Sequence, residues 1–228
     1  MTISIKYKNR LTNKNSSILV LFIDDKFNIK LIKKHISSSE FSYISDLIKI
    51  KNPKKEIVIF EVNSKKNIIL VSLKNKLSNS SAENLGAKFY DQFKDFKQSE
   101  FIVNADSMPS NLKKLIGNFL HGIKLKSYIF EKYKSKKNKR SISIIVIGKN
   151  KPSFTDQLKF KAIEEGTFYT RDLVSEPGNI LHPDEYAKRL IKLRKFGLKV
   201  NVYDEKKLKK LGMNTLLGVG QGSVRGSY

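Results

Sequence analysis

Apolar residues follow two different periods along the first 150 residues of the chain. Residues Ile3–Tyr7 are apolar at every second position, which indicates a strand that is buried on one face. The continuous apolar runs in Ser17–Asp24 and Ser141–Gly148 are typical of strands covered on both faces. Two further β-rich runs, Glu56–Val62 and Asn67–Leu73, flank a short polar segment and predict a β-hairpin.

Helical periods separate these strands. A helix opening at Ser81 would place five apolar residues on one face: Ala82, Leu85, Phe89, Phe93 and Phe96. After a short strand at Phe101–Val103, a second helix is predicted to begin at Pro109, with Ser107 as its candidate cap. Its apolar positions are Leu112, Leu115, Ile116, Phe119, Leu120 and Ile123. Strands interleaved with helices predict an α/β layer structure for residues 1–150.

A long helix, Phe154–Val174, follows a turn-rich break. Its apolar residues lie on two sides, which is typical of a helix between two packed bodies. We therefore expect an N-terminal α/β domain over 1–150, a bridging helix over 151–174 and a further domain over 175–228.

The last part of the chain has its own elements. Glu176–Asn179 predicts a turn and Pro183–Phe196 a helix, with acidic residues in its first turn and Gly197 as its stop signal. Leu198–Tyr203 alternates as a strand does, and Asp204–Leu211 predicts a short helix. The apolar, then glycine-rich Leu216–Gly222 is interpreted as a tight turn at a strand end.

Composition limits the function classes. The chain has no Cys, which excludes disulfides and thiolate metal sites. No apolar run reaches the roughly 18 residues that span a bilayer, and Met1–Arg10 lacks the apolar block of a signal peptide. We therefore expect a cytoplasmic protein.

The formal charge of +24 admits a nucleic-acid partner. The basic residues are nearly all Lys and are dispersed along a chain also rich in Ile and Asn, as an AT-rich genome would produce. Arg, which reads bases and phosphates better, is scarce. The sequence favours compositional bias over selection for nucleic-acid binding.

Few residues suggest chemistry on their own. His35, His121 and His182 form no histidine metal motif. Ser175, His182 and Asp184 allow a catalytic-triad hypothesis, but His182 directly precedes Pro183 and is better interpreted as a helix cap.

Two other patterns have a structural interpretation. Asp91 and Asp95 would share a helix face, where neighbouring lysines favour a solvated, salt-bridged surface over an acid–base pair. The glycines of residues 218–226 lack the following helix and acidic residue of a dinucleotide fingerprint, and the Lys of a P-loop.

Two longer motifs resemble the leucyl (cytosol) aminopeptidase family. Residues 171–183, Arg-Asp-Leu-Val-Ser-Glu-Pro-Gly-Asn-Ile-Leu-His-Pro, look like the opening of that family's catalytic domain, except that His182 replaces the usual Thr. Residues 211–223, Leu-Gly-Met-Asn-Thr-Leu-Leu-Gly-Val-Gly-Gln-Gly-Ser, are the most specific stretch. Gly122–Lys137 also resembles the segment that closes the family's N-terminal domain.

The resemblance implies an N-terminal macro-domain-like mixed sheet flanked by helices, the bridging helix, and an incomplete α/β catalytic domain. It also implies a hexameric hydrolase that removes N-terminal, Leu-like residues from peptides with two divalent metal ions, Zn or Mn. The family's metal ligands lie in a Gly-Lys-Gly strand and an Asn-Thr-Asp-Ala-Glu-Gly-Arg motif, which neither matching stretch contains. No catalytic, cofactor-binding or metal-binding residue is therefore assigned within residues 1–228, and we expect this chain alone to be inactive and truncated before the metal site.

Two alternatives to the peptidase remain open. The first is a non-catalytic basic module that binds nucleic acid electrostatically. The second is a structural subunit that docks on a full-length homologue.

Overall fold

A six-stranded mixed sheet forms the centre of the N-terminal part of the chain, with strand order β1-β6-β5-β2-β4-β3. The strands are β1 (Thr2–Lys8), β2 (Ile18–Asp24), β3 (Ile57–Asn63), β4 (Lys66–Leu73), β5 (Glu100–Asn104) and β6 (Ser141–Ile147). The structure is a computed structural model, and it describes residues 2–9, 18–51, 55–64, 66–136 and 140–222. All neighbouring strands are parallel except β3 and β4, which form the predicted antiparallel hairpin.

Strand burial follows the hydrophobic pattern. Residues Val20–Ile23 of β2 and Ile68–Val71 of β4 are fully buried, because these strands are covered on both faces. At one edge of the sheet, β1 pairs with β6 in parallel from Thr2↔Ser141 to Lys8↔Ile147. The predicted mixed sheet flanked by helices is confirmed.

Each face of the sheet carries its own hydrophobic core. The larger core lies under α2 (Asn79–Phe93) and α3 (Ile116–Lys126), where Phe89 and Phe119 pack edge to face with centroids 5.6 Å apart. The smaller core lies on the other face, against a 3-10 helix (Ile29–His35) and α1 (Ser38–Lys51). The apolar patterns of the sequence predict neither of these last two elements.

Two helix starts differ from prediction. Helix α2 begins at Asn79 rather than at Ser81, because the Ser78 hydroxyl caps it by accepting the Ser81 N–H at 3.1 Å. A 3-10 helix (Ser110–Leu115) precedes α3, and Pro109 is its cap position. Ser107 is not the cap: its hydroxyl is buried, accepts the Phe22 N–H at 2.9 Å and donates to the Asn104 carbonyl at 2.7 Å.

The chain divides into two compact units, Met1–Phe168 and Tyr169–Tyr228. The division falls within α4 (Phe154–Ser175). The second unit contains α5 (Pro183–Ile191), a 3-10 helix (Lys192–Phe196), α6 (Glu205–Lys210) and α7 (Asn214–Gly220). None of the helices among the described residues is long and apolar enough to cross a membrane.

Two predictions for the second unit are wrong. Apolar and polar residues alternate in Leu198–Tyr203 as they do in a strand. No strand of the described chain pairs with this segment, which therefore has no regular secondary structure. Leu216–Gly222 is not a turn after a strand, because Asn214–Gly220 forms α7. Within residues 169–222 all regular elements are therefore helical, although the pattern predicted a strand there.

Candidate functional site

The motif at residues 171–183 connects α4 to α5 in the second unit. The Glu176 carboxylate is 2% exposed, and the guanidinium of Arg189 lies 3.0 Å from it. The same guanidinium lies 3.0 Å from Glu185, one helical turn earlier on α5. The hydrogen bond from Arg189 holds the pKa of the Glu185 carboxyl below its usual value, although slight desolvation opposes this.

This ion-pair cluster was missed in the sequence. The spacing of Glu185 and Arg189 on one helix face is a visible signal for that pair. Glu176 lies in the preceding turn, so nothing local indicates that Arg189 would contact it as well. Because Arg189 bridges α5 and the turn, the cluster fixes the shape of the matching motif.

An apolar hollow of about 610 Å³ opens beside this motif. Its walls are formed by side chains from α5, α6, α7 and the irregular segment, among them Leu181, Tyr186, Leu190, Val202, Leu208 and Met213. Leu208 is buried, whereas Met213 and Leu216 are about half exposed. The side chains that line the hollow are mostly apolar. The hollow is therefore better suited to packing against other apolar side chains than to catalysing a reaction.

The triad hypothesis gains no support from the placement of its residues. Ser175 is the last residue of α4 and is exposed. His182 occupies the N-cap position of α5 ahead of Pro183, as expected, although its side chain makes no capping hydrogen bond. Asp184 lies in the first turn of α5, 3.7 Å from the ammonium of Lys188.

The two aspartates four residues apart do not share a helix. Asp91 lies on α2, but α2 ends at Phe93 and leaves Asp95 beyond it. The Asp91 carboxylate pairs with Lys126 at 3.0 Å and with Lys94 at 3.6 Å. For Asp91 the expected salt-bridged surface is therefore present. Of the glycine-rich segment, residues 218–220 end α7 and residues 223–226 lie outside the described residues.

His121 belongs to a buried polar contact in the first unit. The ring is 5% exposed, its Nδ1 lies 3.0 Å from the Glu164 carboxylate, and the Phe160 ring packs against it at 5.1 Å. Tyr7 on β1 is close enough for Glu164 to act on it: burial, with the charge of Glu164, raises the pKa of Tyr7 to about 12. The contact joins α3 to the first half of α4, in keeping with the structural role expected of His121.

His35 lies at the carboxyl edge of the sheet. Its Nδ1 is 3.0 Å from the amide nitrogen of Asn104. Burial, assisted by Lys34, lowers the pKa of His35. Asp106, which follows β5, accepts the backbone N–H of Asn150 after β6 at 2.8 Å. These contacts tie the loops after β5 and β6 together where ligands often bind in open α/β sheets.

Metal-binding side chains do not cluster in the described part of the chain. No group of three or more His, Asp or Glu side chains there is placed to hold a metal ion. The described side chains therefore do not fit a dimetal centre, and no reaction step is assigned to one.

Comparison with known proteins places the matching motif in a family context. Residues 168–227 match the model of the cytosol aminopeptidase family, catalytic domain. A protein of Phytoplasma mali (strain AT), described as a probable cytosol aminopeptidase, is 44% identical over 135 residues, which cover 56% of this chain and 27% of the relative. One from Bradyrhizobium sp. is 41% identical over 114 residues, or 46% of this chain and 22% of the relative. The chain thus spans about a quarter of the length of these relatives.

Solved structures share the fold. A mutant of tomato leucine aminopeptidase matches 99% of this chain and 49% of its own, with a TM-score of 0.77 at 18% identity. The bottromycin maturation enzyme BotP matches 92% of this chain and 44% of its own, with a TM-score of 0.65 at 16% identity. Together with the sequence matches, these findings confirm the resemblance predicted above.

Proposed function

We propose that this chain, which matches the cytosol aminopeptidase family through residues 168–227, is the N-terminal portion of a metal-dependent leucyl aminopeptidase. The complete protein would remove N-terminal amino acids from peptides in the cytoplasm. As the resemblance implies, it would do so as a hexamer with two divalent ions, Zn or Mn. The domain division at 1–150, 151–174 and 175–228 is part of this proposal, with the boundary between the two compact units lying inside the bridging helix.

One observation carries the proposal. The match to the catalytic-domain model begins at residue 168, and the second compact unit begins at Tyr169. A sequence match and a unit of packing therefore share the same boundary. Chance similarity between short motifs has no reason to respect such a boundary, whereas a domain does.

In this proposal, residues 1–228 supply scaffold and no chemistry. The Arg189 cluster would hold the entry to the catalytic domain, and the apolar hollow would receive side chains from the rest of that domain. Peptide hydrolysis by a dimetal centre requires the metals to activate water and polarise the carbonyl together. We therefore expect residues 1–228 alone to have no peptidase activity.

A chimera tests the proposal. Residues 1–227 would be fused to the part of the Phytoplasma mali relative that follows the counterpart of residue 227. We expect Mn- or Zn-dependent cleavage of leucyl-p-nitroanilide by the chimera and none by residues 1–228. A folded, metal-loaded chimera without activity would contradict the family function, and activity of residues 1–228 alone would contradict the scaffold role.

A further inference from the structure

A second cavity, of about 660 Å³, lies in the first unit at the carboxyl ends of β2 and β4. The loop after β2, the end of α1, the residues just before β3, the loop after β4 and the helix α2 surround it. Because parallel strands end together here, residues far apart in sequence meet in one place. This edge is where open α/β sheets usually bind ligands.

The rim of the cavity is strongly basic. Five lysines line it against only two carboxylates, those of Asp25 and Glu56; the lysines are Lys26, Lys55, Lys74, Lys76 and Lys88. Lys88 is paired with Glu56 at 2.6 Å. Within the described part of the chain, the other four lysines form no salt bridge. The cavity thus concentrates positive charge that its own residues do not neutralise.

Apolar side chains form the less exposed part of the lining, the floor of the cavity, beside the polar Ser72, Ser81 and Asn84. Phe27, Ile48 and Leu77 are partly buried there, and Leu85 of α2 is buried. Phe27 and Ile48 pack against the smaller core, whereas Leu77 packs against the larger one. The cavity therefore opens where the two cores meet at the end of the sheet.

The loop that carries Phe27 is held in an unusual backbone conformation. Phe27 has φ of +54°, a region that bulky side chains rarely adopt. Asp24 fixes this loop, because its carboxylate accepts the N–H groups of Lys26 at 3.1 Å and Asn28 at 2.9 Å. Strained backbone of this kind is concentrated where a side chain must be presented to a ligand.

We infer that this cavity binds a small organic phosphate: the lysines hold the phosphate group, and the floor receives an apolar portion. Ammonium groups attract phosphate as point charges. An inorganic anion would bind the lysine ammonium groups but would leave the apolar side chains of the floor exposed to water. The inference does not depend on the peptidase proposal, since the two involve different units of the chain.

Ligand binding to the 228-residue chain would be measured by titration calorimetry and by amide chemical shifts, with phenyl phosphate, inorganic phosphate and phenol as probes. We expect phenyl phosphate to bind one per chain and at least about fivefold more tightly than inorganic phosphate, because the ring is removed from water. Phenol should not bind measurably. The shifted amides should include those of Lys26, Phe27 and Leu77.

A pair of lysine substitutions provides the matched control. Lys74→Gln with Lys76→Gln should weaken phenyl phosphate binding by about tenfold, because charge-assisted contacts to phosphate are removed. Lys206→Gln with Lys210→Gln removes the same charge from exposed positions on α6 and should change binding less than about twofold. Equal losses from the two pairs, equal affinity for phosphate and phenyl phosphate, or no binding would each overturn the inference.

Discussion

Two glycines determine how closely α2 and α3 approach. A Cβ on Gly86 would lie 2.0 Å from the Phe119 carbonyl oxygen, and one on Gly122 would lie 1.9 Å from that of Glu83. Since the obstructing atoms are backbone, we expect Gly86→Ala to lower the free energy of unfolding by about 1–3 kcal/mol or more. Gly166→Ala is the control: apart from its chain neighbours and its own helix backbone, no described atom lies within 4 Å of its Cβ site on α4, so it should stabilise by about 0.5–1 kcal/mol. Urea denaturation followed by circular dichroism measures both, and equal effects would contradict the close-packing argument.

Tyr7 makes stability depend on pH in the alkaline range. Burial and the charge of Glu164 raise its pKa to about 12 in the folded chain, compared with about 10 when unfolded. A raised folded pKa contributes stability that is complete below about pH 10 and is lost as pH rises through about 12. Tyr7→Phe should therefore lose less stability than the wild type between those values, in urea midpoints measured across that range. Tyr203→Phe removes an exposed phenol and should show the same pH dependence of the urea midpoint as the wild type. If Tyr7→Phe also shows that pH dependence, the raised pKa of Tyr7 does not account for the loss of stability.

At the scale of elements, α2 depends on a cap that its apolar pattern does not show. Ser78 accepts the N–H of Ser81, so α2 begins before its first buried residue, Ala82. We expect Ser78→Ala to lower the melting temperature, by an amount that corresponds to about 1 kcal/mol. Ser80→Ala, at an exposed position on the same helix, should have a much smaller effect. Comparable losses from both serines would show that helix propensity, and not the cap, accounts for the change.

Apolar patterns predict elements well where burial alone decides the structure. The strands β2 and β6 are correct because both of their faces are covered, and α2 and α3 because each presents one face to the larger core. Leu198–Tyr203 was predicted incorrectly because alternation identifies a face to bury but cannot supply a hydrogen-bonded partner. The helix α1 was not predicted, although Phe41, Ile44 and Ile48 have helical spacing. Only Ile44 among these is fully buried, and the exposed polar residues around it weaken the apolar pattern.

At the scale of the whole molecule, the formal charge of +24 has a testable consequence. Because the lysines are dispersed, we expect binding of double-stranded DNA to be detectable only at low salt and absent near physiological salt. Fluorescence anisotropy with a labelled duplex, titrated with KCl, measures this. Binding that persists near 150 mM salt would instead support a nucleic-acid function. At low salt, free phenyl phosphate should displace DNA from the chain only if the DNA occupies the cavity at the ends of β2 and β4.

The basic cavity could not be predicted from the sequence. Its lining residues come from positions 25 to 88 and converge only because β2 and β4 are neighbours in the sheet. In a chain where lysine is common everywhere, Lys74 and Lys76 give no local signal. The family match, by contrast, rests on contiguous motifs, so the sequence alone is enough to recognise it.

The pairing of β1 with β6 governs the order in which the sheet can be assembled during translation. β1 leaves the ribosome before the other five strands of the sheet, yet its partner is complete only at Ile147. At typical synthesis rates of about 5–20 residues per second, the nascent chain carries β1 unpaired for roughly 7–28 seconds. Throughout that interval Ile3 and Ile5, which pack against the core of the folded protein, lie on a strand whose only pairing partner is not yet complete. Of the six strands of this sheet, β1 is therefore synthesised first and paired last, so its apolar side chains wait longest for their native contacts.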